Sequence, residues 1–247
     1  LLRHDASFDD LMNPRAILLD IEGTTTPIAF VHDVLFSYAR SHARDFLNTN
    51  FNSAEVKADV ALLREEHAVD VRNGQNPPAL DEDPDSIAAY VEWLIERDRK
   101  STGLKSLQGK IWRQGYVDTS LKSQVYADVA PAFERWRSQG LSINIFSSGS
   151  VLAQQLLFAH TEAGDLTKFI DNYFDTNVGK KGEAESYRRI AEALSMPANE
   201  ILFISDVVAE LDAATEAGMQ TLLSIRPGNP PQNEAIFYAE IRSFEEL

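Results

Sequence analysis

Short, mostly apolar runs that end at polar residues dominate the pattern of the chain. Runs of this length are typical of strands that are buried on both faces of a parallel sheet. The runs cover residues 16–19, 141–146, 201–205 and 221–225, with a weaker run at 169–170. We therefore predict a parallel sheet built from these segments.

Helical spacing of apolar residues fills the segments between the runs. Apolar residues from Phe30 to Tyr38 predict a helix that extends to about Asn48. From about residue 53 to 122 only helical patterns occur, separated by breaker stretches rich in Asn, Gly, Asp and Pro. Strands separated by helices form parallel βαβ units. The pattern therefore predicts an α/β fold, a doubly wound parallel sheet with an all-helical insert.

This alternation also predicts the domain organisation. Residues 1–15 are a polar lead-in. Residues 16–30 and 123–247 would form the α/β core, and residues 31–122 would form the helical insert.

Composition and charge narrow the class of protein. A chain of 247 residues with 44% hydrophobic content is long enough to bury a full core. The formal net charge of −15 disfavours nucleic acid or an anionic membrane as a partner. Cysteine is absent, as is any apolar run near the length of a membrane span, and the start of the chain is too charged for a signal peptide. We expect a cytoplasmic monomer that acts on a small molecule.

Polar residues follow three of the predicted strands. Asp20 follows the first, with Glu22 in the next loop, and Asp206 follows the run 201–205. Ser147 and Ser148 follow the run 141–146. Each alone is an ordinary turn or helix-capping residue. Because the carboxyl ends of parallel strands meet at one edge, where α/β proteins bind ligands, we expect these side chains to form one site.

The charge of this predicted site indicates its cofactor. Asp20, Glu22 and Asp206 would repel an anionic ligand such as a phosphate, at about 4 kcal/mol for each close pair of charges. A hard divalent cation that binds carboxylate and carbonyl oxygens would cancel this repulsion, and Mg²⁺ is the natural choice. A lysine would help, and the candidates are Lys180 and Lys181.

The order of these residues carries a resemblance to a known family. Asp20-x-Glu22-Gly-Thr, the serine pair, Lys181 and Asp206 resemble the four motifs of the haloacid dehalogenase superfamily of aspartate-nucleophile phosphatases. The segments LLDIEGTTTPIAFVHDVLF, LQGKIWRQGY, FSSGSVLAQQLLF, GKKGEAESY and Arg-Pro-Gly-Asn resemble the bifunctional enolase-phosphatases of methionine salvage. Most superfamily members have Asp where this chain has Glu22, and the glutamate is the enolase-phosphatase pattern.

The resemblance implies a Rossmann-like core, a helical cap and Mg²⁺ dependence. It also implies a substrate, the phosphorylated diketone 2,3-diketo-5-methylthiopentyl-1-phosphate, which is enolised and then dephosphorylated to acireductone. Asp20 and Asp206 would hold Mg²⁺ by their side chains, and Glu22 would do so through its backbone carbonyl.

The resemblance also assigns the remaining roles. Ser147, Ser148 and Lys181 would bind the phosphate, and the spacing of Lys181 to Glu183 favours it over Lys180. Asp20 would attack phosphorus. The enolisation base would be Glu22 or a residue of the cap, and the sequence leaves this choice open.

Residues of the helical insert are candidates for substrate specificity or for packing of the insert itself. These residues are Gln108, Trp112, Gln114 and Tyr116. The five histidines show no metal-ligand spacing, and we interpret them as solvated or packing residues. They are His4, His32, His42, His67 and His160.

Two alternative interpretations remain. The first is another enzyme on the same scaffold, either an Mg²⁺-dependent phosphatase for a different phosphoester or a dehalogenase, which needs no metal. The second is a signalling receiver in which the strand-end aspartate is phosphorylated, although the length of the chain and the helical insert argue against it.

Overall fold

The computed structural model describes residues 13–99, 101–231 and 238–247. Most of the predicted N-terminal lead-in, together with His4, lies outside the described residues. Two compact units are present, one formed by the residues up to Val31 and from Lys122 onward, and the other by His32–Leu121.

A sheet of parallel strands forms the centre of the first unit. The strands of the described chain are β1 (Ala16–Leu19), β2 (Ser142–Phe146), β3 (Asn172–Phe174), β4 (Ile201–Ser205), β5 (Gln220–Ser224) and β6 (Glu240–Ile241). Their order across the sheet is β3-β2-β1-β4-β5-β6, and all neighbours pair in parallel. The predicted doubly wound parallel sheet is confirmed.

The helices of the described chain alternate with strands only in the first unit. They are α1 (Ser37–Asn50), α2 (Ala54–Arg72), α3 (Pro84–Glu96), α4 (Thr102–Val117), α5 (Val129–Ser138), α6 (Val151–Ala159), α7 (Ala184–Ala193) and α8 (Val208–Glu216). None of the described helices is long and apolar enough to cross a membrane.

Strand β1 is the buried centre of the sheet. Its four residues are fully buried, as expected for an unbroken apolar run between two neighbours. Leu19 lies opposite Ile145 of β2 on one side and Ile204 of β4 on the other. Because of this register, β1, β2 and β4 end at nearly the same level along the sheet.

The second unit consists of helices α1 to α4. Helix α1 packs on α3 and α4, and α2 packs on α4. Their starts follow ordinary capping chemistry, because Ser53, Asp83 and Ser101 each accept a hydrogen bond from a backbone N–H in the first turn of the following helix. The apolar residues Ile87, Tyr90, Val91 and Leu94 form the buried face of α3.

One local prediction was wrong, and one short strand was not predicted. The weak run Phe169–Ile170 is not a strand, because Thr167–Phe169 forms a 3-10 helix that begins where the Asp165 carboxylate accepts hydrogen bonds from Thr167. The edge strand β3 follows it instead. The first helix also begins differently, because Phe30–Phe36 is a π-helix that precedes α1. Strand β6, which has only two residues, gave no apolar run.

A buried ion pair joins distant segments of the first unit. Arg226 Nη1 donates to Asp128 Oδ2 at 2.7 Å and to the carbonyl of Arg242 at 2.9 Å, and Arg226 Nε donates to the carbonyl of Thr24 at 3.1 Å. Asp128 also accepts a hydrogen bond from the backbone N–H of Phe244. The guanidinium therefore connects the loop after β1 to the C-terminal segment.

Removal of this guanidinium should destabilise the protein strongly. We expect Arg226→Leu to lower the free energy of unfolding by about 3 kcal/mol, because it leaves the buried Asp128 carboxylate without its counter-ion. Urea denaturation followed by circular dichroism measures this change. The matched control is Arg188→Leu, which breaks an exposed pair with Glu216 and should cost no more than about 0.5 kcal/mol. Equal losses in the two variants would contradict the prediction.

Candidate functional site

The ends of β1, β2 and β4 bring three predicted site residues to one edge of the sheet. Asp20, Ser147 and Asp206 follow these strands directly, and all three are buried. The backbone N–H of Asp20 donates to Ile204 at 3.0 Å, which continues the sheet register to the end of the strand. The structure therefore places these residues on neighbouring strand ends, as the parallel topology requires.

The loop after Asp20 is a tight turn around one carbonyl. The carbonyl of Ile21 accepts hydrogen bonds from the backbone N–H groups of Thr24, Thr25 and Thr26 at 2.9–3.2 Å. Gly23 has a φ of +71°, which favours glycine, and a Cβ built there would lie 2.6 Å from Cγ of Asp206. A side chain at this position would displace the Asp206 carboxylate.

Lys181 is the lysine that contacts the strand-end acid. Its Nζ donates to Oδ1 of Asp20 and, at 2.6 Å, to Oε2 of Glu210. The hydroxyl of Tyr187 donates to the carbonyl of Lys181 at 2.7 Å and fixes the loop. Lys180 has an 84% exposed side chain and pairs only with Glu183 among the described residues. The two candidate lysines thus differ in exposure, because Lys181 is buried against Asp20 and Lys180 lies on the surface.

Glu210 belongs to this cluster and was missed by the sequence analysis. It lies in the first turn of α8 and accepts a hydrogen bond from the hydroxyl of Ser205 at 2.9 Å. The available signal was the position of an acidic residue only four residues after the strand-end Asp206.

The serine at the end of β2 does not cap the following helix. Ser150 is the N-cap of α6, and its hydroxyl accepts a hydrogen bond from the N–H of Ala153. Ser147 Oγ instead accepts the N–H of Gly149 at 3.2 Å, and Ser148 is half-buried in the same turn. Ser147 and Ser148 are therefore not required for helix capping.

Burial and like charges raise the pKa values of two carboxyl groups, those of Asp206 and Glu210. The pKa of Asp206 is raised from 3.8 to about 7, first by burial and then by the charges of Asp20 and Glu210. The pKa of Glu210 is raised by burial and by Asp20. Burial disfavours the ammonium of Lys181, but the two carboxylates that it contacts outweigh this effect and raise its pKa. The site thus contains three carboxyl groups, those of Asp20, Asp206 and Glu210, and one ammonium, that of Lys181.

This excess of negative charge bears on the predicted metal. Among the described residues, no group of three or more His, Cys, Asp or Glu side chains could hold a metal ion. A metal at this edge of the sheet would therefore have fewer side-chain ligands, and the candidate donors are the Asp20 and Asp206 carboxylates and backbone carbonyls. These oxygen donors, the excess of negative charge and the space that Gly23 leaves for the Asp206 carboxylate fit a hard divalent cation. Glu22, whose backbone bridges to Thr26, lies in the same loop.

The candidate specificity residues lie on α4 in the helical unit. Gln108, Trp112 and Tyr116 are buried, whereas Gln114 is exposed. Trp112 Nε1 donates to the carbonyl of Leu35 at 2.8 Å, and the Trp112 ring stacks on Phe36 within the same unit. Trp112 thus has a packing role, as the second interpretation of the sequence proposed.

Comparison with known proteins identifies the family. Residues 14–218 match the family model described as haloacid dehalogenase-like hydrolase. Enolase-phosphatase E1 of Synechococcus elongatus is 54% identical over 94% of this chain and 96% of its own length. The chain belongs to the enolase-phosphatase E1 family of haloacid dehalogenase-like hydrolases. The enolase-phosphatase E1 of Danio rerio is 42% identical over 95% of each chain.

Solved structures share the fold of this chain. The crystal structure of the UTR4 protein of Saccharomyces cerevisiae matches with a TM-score of 0.78 and 35% identity, and the match covers 95% of this chain and 100% of that chain. A dehalogenase structure matches with a TM-score of 0.55 at 22% identity over 96% of each chain, which shows a shared fold.

The raised pKa of Asp206 predicts a pH dependence of stability in the metal-free protein. Between pH 3.8 and about 7 the folded protein retains a proton that the unfolded chain has released. The free energy of unfolding should therefore fall as the pH rises through this window, by up to about 1.4 kcal/mol per pH unit, and level off above it. Denaturation in EDTA at a series of pH values measures this slope. Asp206→Asn should have a flatter profile than the wild type, and parallel profiles would show that Asp206 is not the group responsible.

Proposed function

We propose that the protein converts 2,3-diketo-5-methylthiopentyl-1-phosphate to acireductone (1,2-dihydroxy-3-keto-5-methylthiopentene) and phosphate in L-methionine salvage. The α/β unit would carry the chemistry, and the helical unit would act as the cap. The observation that supports this function most directly is the buried contact of Lys181 with Asp20 at the end of β1. The names of relatives that are 42–54% identical over nearly the whole chain support the choice of substrate. We further propose that the enzyme acts as a cytoplasmic monomer.

Asp20 is the proposed nucleophile for phosphate release. Lys181 holds one carboxylate oxygen of Asp20, so the other oxygen can attack phosphorus while the side chain stays fixed. Water would then cleave the aspartyl-phosphate. A phosphate monoester carries negative charge on its oxygens, and the Lys181 ammonium and the donors near Ser147 and Ser148 would stabilise this charge during transfer.

Glu210 would keep the lysine in place during this step. Its carboxylate binds Nζ at 2.6 Å and is itself held by Ser205. Lys181 therefore cannot swing away from Asp20 without breaking a second buried ion pair. We propose that Glu210 orients Lys181 and does not contact the substrate.

The proposed cofactor is Mg²⁺, held by Asp20, Asp206 and the backbone carbonyl of Glu22. When bound, it would neutralise the carboxylates and polarise substrate oxygens in both half-reactions. Glu22 is the proposed enolisation base within the α/β unit, and a residue of the helical insert is the alternative. Gln108, Gln114 and Tyr116 are the proposed contacts for the methylthio group, since Trp112 packs within the helical unit.

A different small-molecule phosphatase of the same superfamily is the alternative function. It would also need Asp20, Lys181 and Mg²⁺, but it would release phosphate without forming an enediol. The two half-reactions therefore have to be observed separately.

The decisive assay combines the diketo phosphate with Mg²⁺ and records enediol absorbance and free phosphate. We expect both signals with the wild type and neither in excess EDTA. Asp20→Asn should lower phosphate release more than about 10³-fold, because it removes the nucleophile. Glu22→Gln should suppress enediol formation if Glu22 is the base. Phosphate release by the wild type with no enediol at any time would favour the alternative phosphatase.

The two neighbouring lysines provide a matched pair of variants. Lys181→Met should lower kcat for phosphate release by about 10²–10³-fold, because it removes the buried cation that faces the phosphoryl group. Lys180→Met should stay within about twofold of the wild type, since surface charges contribute little. Steady-state phosphate assays at saturating substrate test this, with circular dichroism to check folding. Similar kcat values for the two variants would remove Lys181 from the proposed mechanism.

A further inference from the structure

An oxygen atom of Asn229 is buried without a hydrogen-bond partner beside the proposed metal ligands. Asn229 belongs to the Arg-Pro-Gly-Asn turn that follows β5. Within the part of the chain that the structure describes, no group donates a hydrogen bond to its Oδ1. A buried acceptor that is left unpaired destabilises the folded protein. Such an atom next to a functional site indicates a group that binds there.

The direction of this oxygen is fixed by the other half of the amide. Asn229 Nδ2 donates to the carbonyl of Gly23 at 2.9 Å and to the carbonyl of Ser224 at 3.3 Å. Rotating the amide by half a turn would place its oxygen against two carbonyl oxygens, which all lack hydrogens. The NH₂ group must therefore face these carbonyls, and Oδ1 must face the opposite way.

Oδ1 lies near the carboxylate of Asp206. A Cβ built on Gly23 would be 2.9 Å from Asn229 Oδ1 and 2.6 Å from Asp206 Cγ, and it would overlap Asp206 Oδ2. The amide oxygen and the carboxylate therefore lie on the same side of Gly23. When the Asp206 carboxylate is ionised, neither oxygen can donate to the other, so both need a donor or a cation between them.

We propose that Asn229 helps to bind the divalent cation, because its amide oxygen accepts a hydrogen bond from a water molecule of the cation's hydration shell. This inference rests on the proposed Mg²⁺-dependent function. Mg²⁺ gives up its waters reluctantly and is held in proteins by few carboxylates and several waters. Groups that orient such waters affect metal affinity by about 10–100-fold. The NH₂ group of the same residue donates to the carbonyl of Gly23. One side chain would therefore both hold the loop after β1 and orient the water.

The test measures Mg²⁺ binding directly, by isothermal titration calorimetry on the purified metal-free protein. We expect Asn229→Ala to weaken Mg²⁺ binding about 10-fold. The matched control is Ser224→Ala, because the hydroxyl of Ser224 also donates to the carbonyl of Gly23, at 3.2 Å. Both variants remove one donor to that carbonyl, but only Asn229→Ala removes the oxygen. Ser224→Ala should therefore stay within about twofold of the wild-type affinity.

A second variant separates the polar groups of Asn229 from its volume. Asn229→Leu keeps a side chain of similar size and loses both the oxygen and the NH₂ group, so its Mg²⁺ affinity should fall about as far as that of Asn229→Ala. Equal affinity for Asn229→Ala and the wild type, equal weakening by Asn229→Ala and Ser224→Ala, or wild-type affinity for Asn229→Leu would each overturn the proposal. Circular dichroism confirms that each variant is folded.

The outcome for Asn229 can be distinguished from the outcome for the proposed function. A wild type that binds Mg²⁺ in the calorimeter but releases no phosphate from the diketo phosphate would contradict the proposed substrate. The Mg²⁺ affinities of the variants would still decide the role of Asn229. A wild type that binds no Mg²⁺ would overturn both.

Discussion

The buried contact of Lys181 with two carboxylates is the interaction on which the site depends. An ammonium that is only 10% exposed would be unstable without Asp20 and Glu210, and the two carboxylates would repel each other without the ammonium. Three segments that are far apart in sequence must therefore come together for any one of these charges to be buried. The same contacts of Lys181 with Asp20 and Glu210 therefore hold these three segments together and position the charges of the site.

The backbone around Asp20 is held as firmly as the side chain. Gly23 adopts a conformation that leaves room for the Asp206 carboxylate, and its carbonyl accepts hydrogen bonds from both Ser224 and Asn229. Arg226 holds the next carbonyl of the loop, that of Thr24. The loop that follows β1 is thus fixed by the turn that follows β5. The proposed nucleophile Asp20 would need this fixation, because an error of about 1 Å in position costs roughly 10²-fold in rate.

The sequence predicted those features that arise from strong local signals. The buried strands, the helical insert and the residues at the strand ends follow from apolar runs and from the rule that parallel strands end at one edge. The strand β3 and the partner Glu210 were not predictable in this way. Strand β3 is an edge strand of only three residues, too short to give an apolar run, and Glu210 acquires its role only through a lysine that lies far away in the chain. Its spacing from Asp206 was visible, but that spacing is also common on exposed helices.

A comparison of two buried acids shows how a functional carboxylate differs from a structural one. Oδ2 of Asp128 accepts hydrogen bonds from the guanidinium of Arg226, the backbone N–H of Phe244 and the hydroxyl of Ser243. In the described part of the chain, no side chain donates a hydrogen bond to Asp206, and its pKa is raised to about 7 by burial and neighbouring charges. Asp128 thus has three hydrogen-bond donors, whereas Asp206 has no side-chain donor among the described residues and could accept one from a ligand. Asp206, which no side chain of the described residues pairs, is therefore the carboxylate at which the proposed cation would be needed.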